Sequence, residues 1–133
     1  MDVIIWTNER GGVNVCWPSQ SMDIAVVKAK DTPESSIIVD FDSLPNTDND
    51  FFDAWELNNR VVTVNITKAK DITKARLRIE RAPLFAAQDL AFQRALETGA
   101  DTSAIVAEKQ RLRDVTNLAD TCTTLVELRA LTV

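Results

Sequence analysis

Apolar positions change their spacing partway along this chain: short β-branched and aromatic runs fill the first half, and a three-to-four spacing takes over after residue 66. Residues 3–6 and 13–17 are strand-like runs around Asn8, Glu9, Arg10, Gly11 and Gly12, so a hairpin opens the chain. Ser21 is placed to cap a short helix over 22–30 that turns Ile24, Val27 and Val26 inward. A third strand is expected at 37–41, then an exposed loop over 42–50, where Asp, Asn, Ser, Thr and Pro45 compete with regular backbone pairing. Asn58 and Asn59 tolerate positive φ and predict a second hairpin between 55–57 and 60–66.

Residues 67–99 read as one long helix, rich in residues that lose little entropy on becoming helical. Thr67 is the expected cap and Gly99 the expected left-handed stop. Ala69, Ile72, Ala75 and Ile79 space out one apolar face, and Leu84, Ala87, Ala91 and Ala95 resume it beyond Pro83. Proline lacks an amide and crowds the preceding turn, so a kink, or a break into two helices, is expected at Ala82. A helix over 103–115 follows, with Ile105, Val106, Leu112 and Val115 apolar, then a loop over 117–122. Thr124 and Glu127 form a capping pair ahead of a last helix. The fold class is therefore α+β: a small N-terminal antiparallel sheet with a short helix over 1–66, then a long kinked helix and helical hairpin over 67–133, the two parts forming one compact unit.

Composition narrows the chemistry. The absence of histidine removes the usual zinc sites, the Ser-His and Cys-His nucleophile pairs and the commonest general base at neutral pH. Cys16 and Cys122 follow no metal or redox spacing and are expected as buried, reduced hydrophobes. Asp40, Asp42, Asp48, Asp50 and Asp53 lack the glycine and terminal Glu of a calcium loop, so they read as a solvated acidic stretch. No catalytic residue, cofactor or metal site is expected, and no small-molecule substrate. No apolar run is long enough for a membrane span, and the first residues lack the positive charge of a signal peptide.

Charge is uneven along the chain: residues 1–59 carry minus eight and residues 60–133 plus three, for a net charge of minus five. Such asymmetry points to assembly with partners. Lys68, Lys70, Lys74, Arg76, Arg78 and Arg81 form a basic band on the long helix. It reads either as a solvated face with i,i+4 pairs or as a dock for an acidic protein surface. A nucleic-acid groove is not expected, because aromatic platforms among the basic residues are missing and the chain is acidic overall. Phe51, Phe52 and Trp55 form an aromatic nucleus, and with Trp6, Trp17, Arg76, Arg78 and Arg81 they are the candidate partner-binding residues.

Motifs over residues 53–131 resemble small tailed-bacteriophage proteins associated with tails and tail fibres, including tail-fibre assembly proteins. They are Asp53-Ala54-Trp55-Glu56 ahead of a hairpin, then Arg78, Arg81, Pro83, Leu84, Asp89, Arg94 and Ala95 along a helix. Gln110, Leu112, Arg113 and Asp114 follow, then Glu127, Leu128, Ala130 and Leu131. The resemblance implies a non-enzymatic virion protein, made in the host cytoplasm and present in several copies. Its implied partners are other phage structural proteins at the tail, connector or fibre. An assembly chaperone that leaves the finished particle is the alternative implication.

Overall fold

A computed structural model describes all of residues 1–133, and its fold is α+β, with small antiparallel sheets near the N-terminus and helices after them. The chain divides into two compact units, Met1–Ala69 and Lys70–Val133. No helix is long and apolar enough to cross a membrane.

In the first unit, β1 (Asp2–Thr7) lies between β2 (Val13–Cys16) and β3 (Ile37–Asp40), both antiparallel to it. The register sets Val3 opposite Val39 and Ile5 opposite Val15 and Ile37, which gathers these side chains on one face. A second antiparallel pair, β4 (Trp55–Asn58) and β5 (Val61–Val64), contributes Trp55 and Val62 to the same core as Val3, Ile5, Val13 and Leu44. Ile4 points to the opposite face and is also fully buried, and α1 (Ile24–Asp31) packs beside β1. Both faces of β1 are thus covered, as its continuous apolar run requires.

Local chemistry moves several expected boundaries. Asp23, not Ser21, caps α1, its carboxylate accepting from the Ala25 amide at 2.9 Å. The stretch expected as a loop is 3-10 helical instead, at Phe41–Ser43 and Asn46–Ala54, because Asp40 caps the first turn and the Trp55 indole donates to the Asp48 carbonyl. The β4–β5 turn falls one residue later than expected. Asn58 pairs with Val61, and Asn59 and Arg60 take positive φ of 47° and 72°. Arg60 accepts that backbone while its guanidinium donates to the Ile38 carbonyl at 2.9 Å.

Helix α2 (Ile66–Thr98) spans the boundary between the units. Its cap is Asn65 rather than Thr67: the Asn65 side chain accepts from the Lys68 amide at 3.1 Å. Gly99, at φ 71°, ends it as expected, with Ala100 N–H donating to the Ala95 carbonyl and Gly99 N–H to that of Leu96. The helix does not break at Pro83, which lies within its span. Pro83 is on the exposed side, so the Ile79 carbonyl that loses its i+4 donor is on that side too.

In the second unit the fully buried positions are Thr73 and Leu77 of α2, with Leu112, Ala119 and Leu128 from the segments after it. Just ahead of helix α3 (Ser103–Asp114), the Asp101 carboxylate accepts from the Ser103 amide and hydroxyl. It runs antiparallel to the second half of α2: Lys109 pairs with Asp89 at 2.6 Å and lies over the Phe92 ring. The expected loop over 117–122 is helical, as a 3-10 turn at Val115–Asn117 followed by α4 (Leu118–Thr121). Before α5 (Leu125–Ala130), Thr124 accepts from the Glu127 amide, and Glu127 reaches back to the Thr123 amide. Cys122 is buried as expected, whereas Cys16 is only half-buried.

Candidate interaction surfaces

The arginines of the basic band have different tasks from one another. Arg76 donates to the carbonyls of Leu128 and Leu131 at 3.1 and 2.9 Å and to the Glu80 carboxylate at 2.9 Å. Arg81 donates through Nη1 to the carbonyls of Leu112 and Arg113 at 2.9 and 3.0 Å, with its guanidinium 5.5 Å from the Phe85 ring. Those carbonyls belong to the last turns of α5 and α3, where helices run out of internal donors and where positive charge opposes the helix dipole. Both arginines are therefore cross-helix C-caps. Lys74 joins them with an ion pair to Asp120. Arg78 alone of the three is exposed and takes no internal acceptor.

The sequence reading of α2 chose a face that the structure divides. Ala69, Thr73, Leu77, Phe85, Phe92 and Ala95 lie on the covered side, while Ala75, Ile79, Leu84 and Ala87 are exposed, Ile79 at 76%. Ala75, Ile79, Ala82, Pro83, Ala86 and Leu90 instead form an outer apolar stripe. At 100° per residue they fall within about 100° of arc over roughly 22 Å of helix. This helix is apolar on two opposite sides, and spacing alone could not tell which side would be covered.

The aromatic residues also separate. Phe51 and Trp55 are buried. Phe52 tilts against Trp55 at 4.9 Å between ring centroids, and Trp17, 56% exposed, tilts over Phe41 at 6.3 Å. The two pairs wall a groove of about 300 Å³ floored by Val15 and Leu44 and flanked by Asn46 and Asn49. Trp6 is half-buried and lines a separate, open cleft of about 610 Å³ with Asn8, Arg10 and Pro33. Phe41 and Asn46 were not among the expected binding residues; Asn46 belongs there because its side chain donates to the Phe41 carbonyl and so fixes one rim.

At the junction of β5 and α2, Glu56 accepts from Lys68 Nζ at 2.8 Å and from the Asn65 amide nitrogen at 3.1 Å. These donors, Lys68 first, hold its carboxyl below the usual carboxylate range. On α3, the Arg111 fork holds Glu108 low in the same way, and Glu108 in turn raises Arg111. Asp101 is lowered by the Ser103 hydroxyl and amide. Each shift comes from a local pair that shapes a turn or a helix, and no group of three or more Cys, Asp or Glu side chains is placed to share a metal ion.

The class defined by this fold is α+β, a three-stranded sheet and a hairpin continued by a helical unit. No protein-family model matches the chain, and neither does any curated protein or solved structure.

Proposed function

We propose that this chain is a non-enzymatic accessory or structural protein of a bacteriophage particle, held in several copies at the tail, connector or fibre by protein–protein contacts. The observation that carries this reading is the apolar surface left open on each unit: the Trp17 groove on the first and the outer stripe of α2 on the second. The residues behind the phage-protein resemblance fit a scaffold role. Arg81 meets Leu112 and Arg113, so the helix motif and the Leu-Arg-Asp run are two halves of one cap. Glu56 closes the Asp-Ala-Trp-Glu run against Asn65 and Lys68.

Mass spectrometry of purified virions tests the reading. Stoichiometric presence is expected, and absence from the particle rejects it. The acidic first 59 residues favour a second reading, an assembly chaperone whose binding weakens as salt rises. Co-expression with the cognate fibre separates the two: a fibre that trimerises equally well without this chain disposes of the chaperone.

A further inference from the structure

We propose that the outer stripe of α2 is where two copies of this chain meet, with the two helices antiparallel about a two-fold axis near residues 84 and 85. The proposal rests on the reading of the chain as a multi-copy component and names the surface through which copies pair.

A two-fold contact presents the same patch from both sides, so the patch must complement itself under reversal of the chain direction. The stripe does so. Reversal about its centre sets Ile79 opposite Leu90 of the second copy and Pro83 opposite Ala86. Bulky side chains therefore meet at both ends and small ones at the middle, where the two backbones come closest. Ile79 and Leu90 are 76% and 48% exposed and belong to one contiguous apolar patch.

Charge agrees with the same register. In an antiparallel pair each flank of a stripe faces the same flank of the other copy, and Arg78 and Asp89 lie on one flank. Reversal brings Arg78 within a helical turn of Asp89 in the second copy. Asp89 is 62% exposed even while it holds Lys109, so a carboxylate oxygen is open to a second cation. This also gives Arg78 the acceptor it lacks within its own chain. A parallel arrangement leaves Arg78 of one copy about 16 Å along the axis from Asp89 of the other, so that pair does not form.

The stripe is small beside a standard protein interface, so a micromolar dimer is expected rather than an obligate one. Sedimentation equilibrium of the full chain from about 1 µM to about 1 mM reads it. The average mass should rise from 14.8 kDa towards twice that value. Ile79→Glu with Leu90→Glu brings like charges together and should weaken pairing by on the order of 100-fold. Val126→Glu, equally exposed but in α5, should leave pairing unchanged, with circular dichroism confirming that each variant is folded. Oxidation of an Ile79→Cys chain mixed with a Leu90→Cys chain should link position 79 to position 90.

A wild type that stays monomeric at 1 mM overturns the proposal, as does a double variant that pairs like wild type or a dominant 79–79 link. A monomer that is nevertheless found in virions removes the pairing surface and leaves the particle reading intact. A dimer absent from virions does the reverse.

Discussion

Arg81→Met separates a structural arginine from a solvated one. The substitution keeps the apolar stem but removes two hydrogen bonds from Nη1 and the cation over Phe85. A hydrogen bond from a charged donor contributes about 1.5–3 kcal/mol. The second bond shares the first one's nitrogen and adds less, and the ring contact adds about 0.5–1 kcal/mol. Arg81 is half-buried rather than enclosed, and water recovers part of what the carbonyls lose, so the expected loss is about 2–3 kcal/mol. At a urea slope of about 1–3 kcal/mol per molar, the midpoint falls by about 0.7–3 M.

Two probes localise that loss. All three tryptophans, Trp6, Trp17 and Trp55, lie in the first unit, so fluorescence follows that unit, whereas ellipticity at 222 nm is dominated by the helices of the second. The loss is expected in the ellipticity transition. Arg78→Met, which removes no internal partner, should change stability by less than about 0.5 kcal/mol. If Arg81→Met and Arg78→Met prove equally mild, or equally severe, the assignment of Arg81 as a cross-helix cap is wrong.

Five further substitutions extend the test to the buried face, the helix cap and the Glu56 pair. Leu77→Ala empties a fully buried position and should cost about 2–5 kcal/mol, while Ile79→Ala, measured at low concentration, should cost less than about 0.5 kcal/mol; equal losses refute the assigned face. Asn65→Ala removes the α2 cap and should cost about 1 kcal/mol by urea unfolding, against almost nothing for Thr67→Ala; the reverse order restores Thr67 as the cap. Because the Glu56 carboxyl is depressed in the folded chain, its contribution is present above the unfolded value of about 4.3 and lost as pH falls through the lower folded value. Glu56→Gln should therefore lose stability at neutral pH and show a shallower decline on acidification below about pH 4.3, and an unchanged acid profile would contradict the pairing.

Strands and helices were legible where local signals agreed. Gly11 and Gly12 marked the first hairpin, Gly99 the end of α2, and Thr124 with Glu127 the start of α5. Misreadings arose where a nearby competitor won. Asn65 outcompeted Thr67 because its amide also holds Glu56, and Asp23 outcompeted Ser21 because a carboxylate satisfies an amide better than a hydroxyl that already meets Ser19. Polar runs at 42–50 and 117–122 became helical turns because side chains and neighbouring carbonyls took up their backbone groups, which composition does not reveal. The α2 face was obscured by Thr73, a polar residue on the covered side, and by Ile79 on the open one. The roles of Arg76 and Arg81 depended on carbonyls up to 55 residues away, beyond any local pattern.

Pro83 has one more effect on the exposed side of its helix. Any surface that closes over that side meets, amid methyl groups, the one carbonyl of the stripe whose helical donor is missing, at Ile79. A partner must bring a donor to it or leave room for a water molecule. Whatever seals this face, the seal includes a damp spot, and a ligand engineered to be wholly greasy there should bind less well than one carrying a single hydroxyl.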